Sequence, residues 1–267
     1  MASTTRPKIE YVLFDMDGLM IDSERIYTEV TNEILGRHGK TMTWDIKAGC
    51  MGKPEKDAIA HLLSFFPDIQ LDPDDYALER NRLQDAAWPT VDLLPGTARL
   101  VEHLHAHNVP IAVATGSRRA KYALKTAHLG HIFGKFGARV VCADDLEGAR
   151  GKPAPDIFLA AARGALGRDV GEAGAEPTPG QRAERARGLV FEDAMPGMQA
   201  GKRAGMNVVW VPDVNLLDVP HDSHERPDQV LRSLEEFVPE EWGLPPYSAR
   251  PVAEAGAVPV GGTPGAA

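Results

Sequence analysis

Residues 11–22, Tyr-Val-Leu-Phe-Asp-Met-Asp-Gly-Leu-Met-Ile-Asp, constrain this chain more than any other stretch. Tyr11 to Phe14 are four β-favouring apolar residues in a row, which predicts a buried strand, and Asp15 and Asp17 follow at once. Side chains on an extended backbone alternate in direction, so the two carboxylates point to the same side while Met16 points away. Like charges at that spacing are tolerable only beside a cation, or if one acid keeps its proton. Asp-x-Asp-Gly also suits an ordinary turn or the start of a calcium loop. The calcium reading fails because an EF-hand loop needs further oxygen ligands and a closing Glu, and here Leu19-Met20-Ile21 follows.

The remainder of the chain predicts two kinds of structure. After an Asp22-Ser23 cap, apolar residues recur at helical spacing through Ile26, Tyr27, Val30 and Ile34. They recur again through Ile59, Leu62, Leu63 and Phe66, and Asp72-Pro73 opens a further helix. No strand pattern interrupts residues 24–87, and the Pro89 to Pro95 stretch reads as a linker. Beyond it, predicted helices (around 100–104, 122–129, 157–166 and 197–204) alternate with strands at 111–115, 139–142, 188–191 and 207–211. That alternation implies an α/β fold, a doubly wound parallel sheet that includes the Tyr11–Phe14 strand, and an all-helical insertion. The expected division is a discontinuous core, 9–22 and 92–247, with a helical cap at 23–91. Residues 169–187 read as a flexible surface loop, 230–237 as a last helix, and 248–267 as a disordered tail.

Composition narrows the function classes. A net charge of −9 with no broad basic face argues against nucleic acid or an anionic membrane as partner. The first eight residues lack the apolar core of a signal peptide, and no apolar run approaches about 20 residues, so a soluble, cytoplasmic or nuclear monomer is expected. Cys50 and Cys142, without CxxC or His-rich company, read as reduced thiols. His103 and His107 have metal-site spacing, but the Leu100, Val101 and Leu104 stripe puts them on the solvated side of their helix.

In open parallel sheets ligands bind beyond the carboxyl ends of the strands. Those ends carry Asp15 and Asp17, then Thr115-Gly116-Ser117, then Lys152 in Gly151-Lys-Pro-Ala-Pro-Asp156, then Glu192-Asp193. Singly, Thr115 suits a strand end, Lys152 a solvated loop, and Glu192-Asp193 a helix cap. Together, two acids, a hydroxyl, a lysine and two more acids suit phosphoryl transfer through a carboxylate nucleophile.

The segments Phe14-Asp-Met-Asp-Gly18, Ala114-Thr-Gly-Ser117, Gly151 to Asp156 and Phe191-Glu-Asp-Ala194 resemble the four motifs of the haloacid dehalogenase-like (HAD) phosphohydrolase superfamily, over residues 10–213. The resemblance implies a Rossmannoid core with a small helical cap. It also implies Asp15 as nucleophile, Asp17 as acid/base, and Thr115, Gly116, Ser117 and Lys152 as phosphate holders. Magnesium would be held by Asp15, the backbone carbonyl of Asp17, and Asp193 with Glu192 beside it. Asp17 favours a phosphate ester over a halogenated substrate. Met51-Gly-Lys53, Leu94-Pro-Gly96, Val211-Pro-Asp213 and Gly243-Leu-Pro-Pro-Tyr247 are further similar to eukaryotic pseudouridine-5′-phosphatases and their fungal relatives.

The resulting expectation is a magnesium-dependent phosphatase for a small phosphorylated metabolite, a nucleoside or sugar phosphate such as pseudouridine 5′-phosphate. Lys53 is the candidate substrate contact from the cap. The alternatives are a phosphosugar mutase of the β-phosphoglucomutase type, in which a histidine stands where this chain has Tyr27, and a non-catalytic binding protein.

Overall fold

A computed structural model describes residues 8–51, 55–216 and 224–247. The core is a six-stranded parallel sheet in the order β3-β2-β1-β4-β5-β6, built from β1 (Tyr11–Phe14), β2 (Ile111–Thr115), β3 (Val140–Cys142), β4 (Gly188–Glu192), β5 (Asn207–Trp210) and β6 (Gln229–Val230). β1 lies between β2 and β4, with Val12 beside Ile111 and Leu189, so its carboxyl end opens at the middle of the sheet edge. Neighbouring residues of β1 enter different cores. Val12 and Phe14 join one face with Val113, Leu189 and Phe191, while Tyr11 and Leu13 join the other with Ala112, Ala114 and Val190. Burial on both faces is why these strands read as continuous apolar runs. Helices α5 (Thr97–Ala106), α6 (Arg119–Thr126), α7 (Gly130–Phe133), α8 (Asp156–Ala160), α9 (Pro179–Arg185) and α10 (Met195–Arg203) complete the core.

Between β1 and α5 the described residues form four α-helices and no strand: α1 (Ser23–Gly36), α2 (Trp44–Cys50), α3 (Glu55–Ser64) and α4 (Pro73–Ala87). Asp22 caps α1 by accepting from the Arg25 amide, and Asp72 caps α4 by accepting from the amides of Asp74 and Asp75, with Pro73 at the first helical position. The outgoing and returning chains are stitched together where the insertion leaves the core. The Asp22 amide donates to Asp92 O at 2.9 Å, and the Leu94 amide to Met20 O at 2.9 Å. Both connections therefore cross at one narrow neck.

Three local expectations are corrected. Residues 169–187 contain α9, whose Thr178 and Gln181 form a reciprocal cap, and the segment is anchored by fully buried Val170 and by Arg185 donating to Val170 O at 2.6 Å. A single buried valine and an arginine stem supply the packing, so the low apolar content was misleading. Residues 230–237 form no α-helix. The Leu231 amide joins Trp210 O, extending the sheet through β6, and a short 3-10 turn at Leu234–Glu236 buries Leu234 and Phe237. The helix expected over 157–166 is five residues of α8 continued by a π-helical turn at Ala161–Ala165. The tail at 248–267 and Lys53 lie outside the described residues. Among the described residues no helix is long and apolar enough to cross a membrane.

Candidate active site

The strand ends converge as their order on the sheet requires. Asp15 continues β1, its amide donating to Phe191 O of β4 at 3.0 Å, and Gly18 turns the chain with a φ of 79°. A side chain at Gly18 would collide with the Asp193 carboxylate, so glycine is needed for both the backbone angle and the space. Asp15, Glu192 and Asp193 are all buried, and one carboxylate oxygen from each lies within 4.8 Å of the others.

Lys152 is the cation facing this cluster. Its Nζ contacts Asp15 Oδ1 and lies 2.6 Å from Glu192 Oε1, while Glu192 Oε2 accepts from the Ala194 amide at 3.0 Å. The Glu192 carboxylate is thus engaged on both oxygens. Asp193 is fixed from behind, its carbonyl accepting from Trp210 Nε1 at 2.8 Å. Burial, opposed by Lys152 and reinforced by Glu192 and Asp17, pushes the Asp15 carboxyl up to about 7. Burial together with the Glu192 and Asp15 charges raises Asp193 well above the usual carboxylate range. Three desolvated acids facing one lysine make a site whose charge is unbalanced without a further cation.

Asp17 belongs to a second set. Its Oδ2 accepts from Ser117 Oγ at 2.7 Å, and its Oδ1 faces Lys125 Nζ at 2.5 Å. Burial works against ionisation of Asp17, but the Lys125 charge outweighs it and holds the carboxyl below its ordinary value. The Thr115 hydroxyl is fully buried, accepts from the Ser117 amide at 3.0 Å and lies 3.5 Å from Asp17 Oδ2. Gly116 and Ser117 line the cavity above. The structure therefore gathers every described residue of the expected set: Asp15, Asp17, Thr115, Gly116, Ser117, Lys152, Glu192 and Asp193.

Sequence reasoning missed Lys125. It sits in α6, which reads as a weak amphipathic helix, and a lysine there is ordinarily solvated; here it is buried and its Nζ also donates to Tyr27 Oη at 3.1 Å. The available signal was spacing: two helical turns beyond Ser117, on the face that returns towards the strand end. A cavity of about 560 Å³ rises from these residues into the helical insertion, bounded by α1, α2, α3 and α4.

The haloacid dehalogenase-like hydrolase model matches residues 9–205. The chain belongs to that family. It is 43% identical over 244 residues to "(DL)-glycerol-3-phosphatase 2" of Arabidopsis thaliana, covering 91% of this chain and 94% of that protein. It is 37% identical over 248 residues to "Probable pseudouridine-5'-phosphatase" of Drosophila melanogaster, covering 93% of this chain and 100% of the fly protein. Among solved structures, a HAD family hydrolase from Deinococcus radiodurans with bound phosphate and sodium superposes with a TM-score of 0.69 at 25% identity, covering 89% of this chain and 98% of that one. The pseudouridine-5′-phosphatase resemblance extends over nearly the whole chain, and the plant glycerol-3-phosphatase shares still more of its residues.

Proposed function

We propose that this HAD-family hydrolase is a magnesium-dependent phosphatase that acts on a small phosphate monoester through an aspartyl-phosphate on Asp15. The chain is a phosphoric monoester hydrolase by family and by its phosphatase relatives. The observation that carries the finer reading is the separation of the acids into two sets: Asp15 with Lys152, Glu192 and Asp193, and Asp17 with Ser117 and Lys125. The donor chemistry of the first set fits magnesium, since its carboxylate oxygens are hard ligands on buried side chains with excess negative charge. Asp15 and Asp193 would hold the ion with the Asp17 carbonyl. Glu192, engaged by Lys152 and the Ala194 amide, serves rather to place the lysine. When bound, magnesium supplies the positive charge that lets an anionic nucleophile meet an anionic phosphate.

The residues then divide the work. An Asp15 oxygen forms a bond to phosphorus as the ester P–O bond breaks, and Asp17, which Lys125 holds ionised in the free protein and which must therefore first take up a proton, gives that proton to the departing oxygen. Asp17, now ionised, takes a proton from water, which attacks phosphorus, releases inorganic phosphate and restores the Asp15 carboxylate. Lys152, Thr115, Ser117 and the amides around Gly116 hold the phosphoryl oxygens. The relatives' names bracket the substrate between a three-carbon polyol phosphate and a nucleoside 5′-phosphate.

The test is phosphate release from p-nitrophenyl phosphate with and without magnesium, comparing the protein with Asp15→Asn, plus mass spectrometry of acid-quenched enzyme. Magnesium-dependent release lost in Asp15→Asn, with a phosphate adduct on the peptide carrying Asp15, is expected. Turnover that survives Asp15→Asn would remove Asp15 from the nucleophile's role. Absence of release from any phosphate ester would favour a binding protein.

A further inference from the structure

The cavity's upper half is chemically two-sided. Tyr76, Arg80 and Gln84 recur at four-residue steps along α4, so they form one row on its inner face, each about 6 Å from the next, and Trp88 continues the row to the floor. The Trp88 ring lies 4.3 Å below Lys125 Nζ, the group that holds Asp17, so the row begins beside the reacting end and climbs away from it.

This row carries hydrogen-bonding capacity that the protein does not use. Arg80 is tethered through Nη2 to Glu55 at 2.8 Å and to Asn81 Oδ1 at 3.0 Å, yet its buried Nε has no partner. Gln84 is 6% exposed, and among the described residues its side-chain amide makes no hydrogen bond. Tyr76 and Thr31 share one hydrogen bond at 3.2 Å between two hydroxyls, which leaves one O–H still to donate. A shut-in donor such as Arg80 Nε is rarely left unpaired, because it has lost its water without replacement, whereas the unpaired Gln84 amide still opens on the cavity. Across the cavity stand apolar side chains, Met42 before α2 and Ile59 and Leu62 on α3, with the charged Lys47 of α2 and Glu55 of α3 also in the lining.

The geometry points to the Tyr76–Arg80–Gln84 row as the element that recognises the leaving group, and to a planar heterocycle with acceptors along one edge as the group recognised. This rests on the phosphatase reading above and narrows it to a nucleoside-type 5′-phosphate. A planar ring presents a polar edge to Arg80 and Gln84 and apolar faces to Ile59, Leu62 and Met42. A polyol is polar all round, and hydroxyls turned to those apolar side chains would lose their water without replacement. Length argues the same way. A three-carbon ester held at Asp15 ends near the first step of the row and leaves Arg80 unfilled, whereas roughly 300–1,000 Å³ is usual for sites that enclose larger small molecules.

The experiment compares kcat/KM for uridine and pseudouridine 5′-phosphates, ribose 5-phosphate and glycerol 3-phosphate in the full-length protein and in Arg80→Met and Gln84→Leu. Wild type is expected to prefer the better pyrimidine nucleotide over ribose 5-phosphate by at least tenfold. Each variant is expected to erase most of that preference through KM, while ribose 5-phosphate and glycerol 3-phosphate stay within about twofold. Equal or better use of ribose 5-phosphate by wild type, or a uniform fall on every substrate in the variants, would overturn the assignment. Calorimetric binding of the same nucleotides to Asp15→Asn and to Asp15→Asn/Arg80→Met separates the two readings, because it needs no turnover. Binding lost with Arg80 supports the row even if no ester is hydrolysed, and binding indifferent to Arg80 removes it even if the protein is a phosphatase.

Discussion

The Lys125 ammonium lies 2.5 Å from Asp17 Oδ1, with the two side chains 2% and 20% exposed, and the same Nζ is 3.1 Å from both Tyr27 Oη and Ser117 Oγ. One buried lysine in α6 thus joins the second acid of the β1 strand end to the first helix of the insertion. Burial alone would favour a neutral lysine, but the Asp17 charge overrides it and holds the ammonium protonated.

Lys125→Met should leave Asp17 with its hydrogen bond from Ser117 but without a counter-charge. Removing one partner of a fully buried pair costs about 3–5 kcal/mol, and the partial exposure of Asp17 brings the expectation to about 2 kcal/mol. Because the folded value of Asp17 lies below its unfolded one, the pair stabilises the fold above pH of about 4 and loses that effect as pH falls through the folded value. The deficit of Lys125→Met in urea titrations should accordingly be greatest near neutrality and shrink in acid. In Asp17→Asn/Lys125→Met the combined loss should be smaller than the sum of the single losses; additive losses would show that the two groups are not coupled.

The cluster around Asp15 predicts the opposite pH dependence. Asp15, pushed up to about 7, and Asp193, also raised, bind protons more tightly folded than unfolded. Their contribution is complete below pH of about 4 and is lost as pH climbs through 7. Without divalent ions, Asp193→Asn should therefore raise the melting temperature at pH 8, by an amount on the order of 3 °C, and change it little at pH 5, while abolishing turnover. A variant that melts lower than wild type at pH 8 would show that the three carboxylates do not repel in the folded protein.

Most of the sheet and all four strand-end motifs were legible in the chain, because a strand buried on both faces must be apolar throughout and must end where its first charge appears, as β1 ends at Asp15. The helical insertion was legible for a similar reason, Ile26, Val30 and Ile34 keeping one period without interruption. What escaped was set by tertiary partners. Val230 and Leu234 suit a helix by spacing, and only the open edge of β5 draws Gln229–Val230 into the sheet. Lys125 escaped because an isolated lysine signals solvent unless its acid is known, and Asp17 lies 108 residues away in the chain.

Proton competition makes the metal response testable without turnover. Asp15 and Asp193 must lose protons before they can hold a divalent cation, and both hold them unusually well. Magnesium should raise the melting temperature more at pH 8 than at pH 5.5, and its apparent affinity should rise across that interval and level off above it. Scanning calorimetry over a magnesium series at the two pH values checks this. An equal gain at both would mean that the ion binds elsewhere.

Glu192 offers the last prediction, since it is held between Lys152 on one oxygen and the Ala194 amide on the other, against the start of α10. A Cβ at Gly197, in the first turn of that helix, would run into the Glu192 carboxylate. Gly197→Ala must then push the carboxylate aside, and Lys152 loses the partner that aims it between Glu192 and Asp15. Alanine favours a helix interior over glycine by about 1 kcal/mol, so local propensity would stabilise the variant, and the collision opposes it. The collision should win: a lower melting temperature and at least a tenfold lower kcat, with the phosphate adduct on Asp15 accumulating more slowly after mixing. Glu192→Gln, which keeps the shape and loses the charge, should retain more of the stability but show the same slow formation of the adduct. If Gly197→Ala instead gains stability and keeps its rate, Glu192 has room to move and is not what positions the lysine.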